Sequence, residues 1–195
     1  MSTEATTVKE PVNPSALAFS AFAGTTFLLS WVNAGLINPS VLATAAATGW
    51  VFGGAIQIAV AFWLFRNNHL FPAVTFGAFG AFWVSFSLYA TLYVPGLPPT
   101  ERGPATALFL VPWVIFSFYM LIGSFKTNVA IVIAFVLVEA TLIPGIIGDA
   151  NNSESATHLG GYCGIALAIV VWYIAAAEVI NHQFNRTILP LIPLN

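Results

Sequence analysis

Six long apolar stretches constrain the fold of this chain more than any other feature of its sequence. They cover residues 15–36, 41–65, 73–94, 105–125, 128–148 and 159–181. Each approaches or exceeds the roughly 20 residues that a helix needs to cross the hydrocarbon core of a bilayer. None shows the sustained alternation over about ten residues that is typical of a membrane β-strand. The sequence therefore predicts an all-α integral membrane protein, built as a bundle of six transmembrane helices.

The charge content of the chain supports the same conclusion. Only 6% of the 195 residues are charged, whereas 58% are hydrophobic. A soluble domain carries about 25% charged residues, so this chain has too few to build a surface that faces water. The formal net charge is −2 and no basic patch is present, which argues against a nucleic-acid partner.

The residue types that carry catalysis or bind metals are scarce and scattered. The three histidines, at positions 69, 158 and 182, belong to different parts of the chain, and Cys163 is the single cysteine. This pattern predicts neither a metal site nor a Cys–His nucleophile. No glycine-rich phosphate-binding loop is present either. We therefore expect no enzyme activity, no cofactor and no metal.

The breaks between the apolar stretches predict the domain organisation and the orientation. Residues 1–12 are polar and are expected to form a disordered cytoplasmic tail, residues 13–185 the transmembrane domain, and residues 186–195 a short cytoplasmic tail. With six helices both termini lie on one side of the membrane. The positive-inside rule then favours cytoplasmic termini in the plasma membrane. That topology puts four basic residues inside, namely Lys9, Arg66, Lys126 and Arg186, and only Arg102 outside.

Small residues recur at spacings that let helices approach each other closely. Gly49 and Gly53 are four residues apart, as are Gly160 and Gly164, and "GAFG" begins with Gly77. Such spacing is typical of helix–helix contacts in membranes.

Several motifs resemble one known family. The stretch "NPSALAF" at 13–19 resembles the family pattern Asn-Pro-Ala-Pro-Leu-Gly-Leu. It is followed by "TTFLLSWVNAG" at 25–35, "GGAIQI" at 53–58, "GAFWVSF" at 80–86 and "EVINHQFNRTILP" at 178–190. In this order and spacing, the motifs resemble the acetate uptake transporter family, also called acetate–succinate permeases. The resemblance extends from Asn13 to Pro190.

This resemblance implies an architecture and a substrate class. It implies a six-helix protomer that assembles in the membrane lipid as a ring-shaped homohexamer, with one substrate path through each protomer. It also implies transport of a short monocarboxylate, typically acetate and in some members succinate. Protons as a further partner are left open.

The resemblance also implies which residues form the narrowest point of that path. In the family a Phe, a Tyr and a Leu meet there from helices one, three and five. By position these correspond to Phe22, Phe79 and Val138 in this chain. A Phe thus replaces the Tyr and a Val replaces the Leu, so we expect a drier and slightly wider constriction.

Polar residues near the start of the first helix are candidates for contacts with the carboxylate. Asn13 is a good N-cap and Pro14 is suited to the first helical position. The free N–H groups of that helix end favour an anion, although the same pair could be an ordinary cap. Thr25 and Thr26 lie farther along, and neighbouring positions on a helix diverge by about 100°, so only one of them can face a given path.

Three further polar residues lie inside the apolar stretches, each with two interpretations. The amides of Asn33 and Gln57 either line the path or bond between helices. Glu139, near the middle of the fifth stretch, is either a proton carrier or a carboxyl hydrogen-bonded between helices or protomers. Because Glu139 follows Val138 directly, it is turned about 100° away from any path that Val138 faces, which favours the structural interpretation.

The distribution of charge fits weak binding of an anion. No basic residue lies in the middle of an apolar stretch, and conduction requires sites that release the ion easily. An apolar constriction also favours the protonated acid, because an unpaired charge there is costly. The sequence therefore predicts a channel or permease for acetate or a similar short carboxylate. It leaves open a passive anion channel, a proton-linked carrier, a channel for ammonia, urea or undissociated acid, and a membrane sensor or scaffold without transport.

Overall fold

Six long helices account for most of the structure. The computed structural model describes residues 12–194. Its helices are α1 (Ser15–Asn33), α2 (Pro39–Arg66), α3 (Leu70–Gly96), α4 (Pro99–Ser124), α5 (Val129–Asn151) and α6 (Glu154–Phe184), and each is long and apolar enough to cross a membrane. The predicted fold class is confirmed. Of the predicted N-terminal tail, only Val12 lies within the described residues.

Two turns between helices are much shorter than the sequence indicates. The break expected at 95–104 is mostly helical, because Pro98 and Pro99 start α4 rather than interrupting it. The break expected at 148–158 consists of only two residues, Asn152 and Ser153. Asn152 has a left-handed backbone conformation with a φ of 51°. The Ser153 side chain accepts a hydrogen bond from the Ala156 N–H and so starts α6. The polar residues around this turn can therefore belong to helix ends that extend beyond the bilayer.

The helices pack in an order that leaves one weakly closed seam. α1 contacts α6 and α2 extensively, α6 contacts α5, α5 contacts α4, and α2 contacts α3. The backbones of α3 and α4 are close at few points. Between them lie aromatic rings, with Phe82 5.1 Å from Trp113 and 6.0 Å from Phe109 between ring centroids.

Glycines permit the closest helix contacts, as their spacing predicts. A Cβ at Gly53 would lie 2.7 Å from the Thr25 hydroxyl of α1, and one at Gly80 would lie 3.0 Å from the Gly54 carbonyl oxygen of α2. A Cβ at Gly160 would lie 2.9 Å from the Thr141 carbonyl oxygen of α5. Gly53 belongs to a π-helical segment of α2, Gly49–Ile56, which widens the helix where it meets both α1 and α3.

The chain after α6 folds back onto the bundle. The Val129 N–H donates to the Ile192 carbonyl (3.0 Å), and the Leu194 N–H donates to the Thr127 carbonyl (2.9 Å). Leu191 packs against the apolar core that contains Phe22 and Phe79. Residues 186–194 therefore form an ordered strap, named the C-terminal strap below, across the start of α5.

Candidate functional site: two cavities and their partition

Two cavities lie between the helices. The larger has a volume of about 240 Å³ and is lined by residues from all six helices. The smaller has a volume of about 30 Å³ and lies toward the end of the bundle at which α1 begins and α6 ends, between residues such as Phe19, Gln57 and Ile131. Both are mainly apolar, and they are called the larger and the smaller cavity below.

Four residues line both cavities and form the partition between them. They are Phe22, Phe79, Val138 and Leu167. All four are buried, and the rings of Phe22 and Phe79 meet edge to face with centroids 5.1 Å apart. The structure thus brings together the three residues that the resemblance assigned to a constriction. It adds Leu167 of α6, for which an apolar helix carries no distinguishing sequence signal.

The two adjacent threonines of α1 point in different directions. Thr26 lines the larger cavity, and its hydroxyl has no hydrogen-bond partner among residues 12–194. Thr25 lines neither cavity. Its hydroxyl donates to the Ala21 carbonyl (3.0 Å) and faces Gly53 of α2. Thr26 is therefore the one of the pair that can reach a bound solute.

The two buried amides lie on opposite sides of the partition. Gln57 is fully buried and lines the smaller cavity, where its Nε2 donates to the Gly53 carbonyl of its own helix (2.6 Å). Its Oε1 has no partner within the described chain. Asn33, at the last position of α1, is half-buried and lines the larger cavity. Both amides line a cavity.

The start of α1 differs in register from the expectation. The helix begins at Ser15, so Pro14 occupies the N-cap position rather than the first helical one. Asn13 accepts hydrogen bonds at Oδ1 from the Ser15 N–H (2.9 Å) and from the Ser15 hydroxyl (2.7 Å). Asn13 still satisfies a free N–H of the helix end, one residue earlier than predicted. Neither Asn13 nor Pro14 lines a cavity.

Glu139 is turned away from the cavities and pairs with α4. It lines neither cavity, and its Oε1 accepts a hydrogen bond from the Ser117 hydroxyl at 2.5 Å. Its Oε2 is buried without a partner in residues 12–194. The placement is the one expected from the 100° rotation relative to Val138.

Trp83 and Asp149 are among the polar residues of the larger cavity that sequence reasoning did not single out. Trp83 lies in the motif at 80–86 and lines the cavity. The sequence feature that could have identified it is an indole N–H donor inside an apolar helix. Asp149 lines the cavity near the end of α5, where a polar run suggested a loop. Within the described chain, no three His, Cys, Asp or Glu side chains are grouped so that they could hold a metal ion.

Known proteins resemble this chain over most of its length. The sequence profile of the GPR1/FUN34/yaaH family matches residues 2–195. The chain is 31% identical to the succinate-acetate/proton symporter SatP of Escherichia coli K12, over 92% of this chain and 94% of that one. It is also 31% identical to accumulation of dyads protein 2 of Saccharomyces cerevisiae, over 93% of this chain but only 66% of that longer protein.

The fold also matches a solved structure. The structure of the bacterial acetate channel SatP superimposes with a TM-score of 0.86 at 25% sequence identity, covering 93% of this chain and 99% of that one. The similarity therefore extends over the fold of nearly the whole chain.

Proposed function

Because the chain belongs to the GPR1/FUN34/yaaH family, we propose that it carries acetate or a similar short carboxylate across the cytoplasmic membrane. The solute would pass through both cavities and the partition between them. The observation that carries the proposal is that Phe22, Phe79, Val138 and Leu167 line both cavities at once. The protein is a multi-pass membrane transport protein and not an enzyme.

The partition suits a solute that is half apolar. Four apolar side chains separate the cavities. A methyl group can therefore pass between them without a cost in desolvation free energy. A bare charge cannot, because burying it without a partner is costly. In this proposal a polar residue serves each side of the partition: Thr26, which lines the larger cavity, and the buried Gln57, which lines the smaller one. They offer hydrogen bonds without a fixed cation, so binding stays weak enough for release.

The partition also gives a physical reason for proton coupling. The relative from E. coli is named a succinate-acetate/proton symporter. In our proposal the acid crosses the partition in its protonated form, so each carboxylate moves together with one proton. The larger cavity, at about 240 Å³, leaves room for succinate as a second substrate.

The orientation and the assembly are part of the proposal. The basic residues outside the apolar helix centres favour termini on the cytoplasmic side. The family resemblance supports a homohexamer. The outer face of α4 is apolar and exposed at Leu108, Ile115 and Ile122, and it would contact lipid or a neighbouring protomer.

Purified protein in liposomes, supplied with radiolabelled acetate, tests the proposal. We expect uptake that saturates with acetate and rises several-fold with a pH gradient, acid outside. Val138→Trp should fill the partition and reduce uptake by at least about tenfold. Val136→Trp is the matched control, because Val136 lies on the same helix with an exposed side chain.

Other outcomes would contradict the proposal in distinct ways. Absence of uptake by folded protein would favour a sensor or scaffold. Uptake of ammonia or urea without acetate would favour a neutral-solute channel. Uptake that survives Val138→Trp unchanged would show that the solute does not cross this partition.

A further inference from the structure

We infer that the indole N–H of Trp83 is the hydrogen-bond donor that receives the substrate carboxylate in the larger cavity, together with the Thr26 hydroxyl. This inference rests on the proposed function. It names the residue that determines what the larger cavity accepts.

The first argument is that two buried polar groups of this cavity lack protein partners. Trp83 is 2% exposed and Thr26 is 6% exposed. Trp83 Nε1 and Thr26 Oγ1 form no hydrogen bond with any residue in 12–194, and both residues line the larger cavity. A buried donor without a partner is costly and rare. Because both residues line the larger cavity, we take a solute bound there as the acceptor.

The second argument is that the indole is held in one position. Its ring meets Phe82 edge to face at 5.1 Å and Phe86 at 6.0 Å between centroids. A Cβ at Gly53 would lie 2.9 Å from Trp83 Cγ, so the glycine lets the ring lie directly against α2. A fixed ring fixes the direction of its N–H and needs no reorganisation when the substrate arrives.

The third argument is the chemistry of the two groups. An indole nitrogen is a donor only, so its partner must present a lone pair. Ammonium has none, whereas a carboxylate has two oxygens and can accept from both the indole and the hydroxyl. Hydrogen bonds to a charged acceptor are stronger than neutral ones. Two neutral donors thus favour the carboxylate over water and still release it.

The test compares two Trp→Phe variants in the liposome assay. Trp83→Phe keeps a large aromatic ring and removes the donor. Trp63→Phe is the matched control, because Trp63 is half-buried and lines neither cavity. We expect Trp83→Phe to raise the acetate concentration at half-maximal uptake by about tenfold, the effect of losing about 1.4 kcal/mol of binding free energy. Trp63→Phe should change it by less than about twofold.

A second measurement uses binding rather than transport. The chain has six tryptophans, and their indole N–H resonances can be followed by NMR in detergent while sodium acetate is added against sodium chloride. One resonance, absent from the Trp83→Phe spectrum, should shift with saturation. If no indole resonance of the wild-type protein responds to acetate, the inference is overturned, even if Trp83→Phe fails to fold.

The two measurements separate this inference from the proposed function. A saturable indole shift without acetate uptake would retain the binding site and contradict the transport function. Normal uptake with no indole shift, and an unchanged half-saturation in Trp83→Phe, would contradict the role of Trp83 alone.

Discussion

Val138 is one of two residues of the partition at which the resemblance implies a different side chain, a Leu in place of the Val. Its side chain is buried and lines both cavities. Val138→Leu would add a methylene where Phe22 and Phe79 already meet, and so narrow the passage. We expect acetate uptake to change by less than about twofold and propionate uptake to fall several-fold, because the longer chain needs the extra width. Paired uptake assays with both acids measure this ratio.

The control for this prediction is Val136→Leu, on the exposed face of α5. It adds the same methylene outside the partition and should leave the ratio unchanged. An unchanged propionate-to-acetate ratio in Val138→Leu would contradict the assignment of Val138 to the narrowest point.

Gln57 allows function and stability to be separated. Its buried Oε1 has no partner in the described chain, and an unsatisfied buried oxygen lowers stability. Gln57→Leu removes that oxygen, although it also removes the Nε2 bond to the Gly53 carbonyl. We expect uptake to fall about tenfold while the unfolding temperature in detergent stays the same or rises. A loss of uptake that is matched by a loss of stability would indicate a purely structural role.

Thr75 offers the matched control for Gln57. It lines the same smaller cavity, but its hydroxyl is already bonded to the Phe71 carbonyl (2.8 Å). Thr75→Val should therefore leave uptake within about twofold of the wild type.

At the level of single residues, the sequence predicted part of the site. Position and resemblance placed Phe22, Phe79 and Val138 at one point, and the structure brings them together. Helical geometry predicted that only one of Thr25 and Thr26 could face a path. Which of them does so depends on the rotation of α1 about its axis, and this rotation is set by the contact between Thr25 and Gly53 of α2. Trp83 and Leu167 could not be selected, because an apolar helix in a membrane carries many side chains of the same kind.

The Ser117–Glu139 contact joins α4 to α5 away from both cavities. The Ser117 hydroxyl lies 2.7 Å from the Trp113 carbonyl oxygen and 2.5 Å from Glu139 Oε1. A hydroxyl has one proton, so both contacts are hydrogen bonds at once only if the carboxyl supplies a proton. Glu139→Gln keeps an oxygen that can accept from the Ser117 hydroxyl and also supplies an amide donor. We expect uptake and its response to a pH gradient to stay within about twofold of the wild type.

The contrasting variant for this contact is Ser117→Ala, which should lower the unfolding temperature because a buried carboxyl loses its partner. If Glu139→Gln instead abolished the response to the pH gradient without affecting folding, Glu139 would be a proton carrier.

The C-terminal strap is held chiefly by one side chain of α6. Asn181 accepts hydrogen bonds from the N–H groups of Ile188 (2.7 Å) and Leu189 (2.9 Å), and it donates to the Leu189 carbonyl (2.8 Å). Each bond contributes about 1 kcal/mol, so Asn181→Ala should open the strap more often. We expect the Leu194 amide hydrogen, which is bonded to the Thr127 carbonyl, to exchange with solvent at least about tenfold faster. Gln183→Ala, an exposed neighbour, should have no effect, and equal rates would contradict this account.

The sequence predicted the number and kind of elements but not their ends. Apolar length is a property of each helix centre, so all six centres were located. Helix ends depend on caps such as the Ser153 side chain and on proline at a first turn, and polar residues there fit a helix or a loop equally well. The strap was predicted only as a tail, because its contacts with Thr127 and Val129 join distant parts of the chain.

For the molecule as a whole, helix order explains where the cavity forms. The resemblance to the acetate uptake transporter family is confirmed by the family match over residues 2–195. The α1–α6, α6–α5 and α5–α4 contacts are extensive, whereas α3 and α4 approach at few points. The larger cavity lies beside that seam, and on this side its wall is formed by aromatic rings of α3 and α4, whereas the other helices line the rest.

The orientation of the whole bundle is the remaining prediction, and charge alone decides it. Arg66, Lys126 and Arg186 all lie at the end of the bundle where α6 ends, and Arg102 lies at the other. Because Cys163 is the single cysteine, Cys163→Ser provides a background for labelling. Arg102→Cys should react with a membrane-impermeant thiol reagent on intact cells, whereas Lys126→Cys should react only after the cells are opened. The reverse pattern would place the smaller cavity, with Gln57, outside. Acid would then enter through the smaller cavity and meet Thr26 and Trp83 only after crossing the partition.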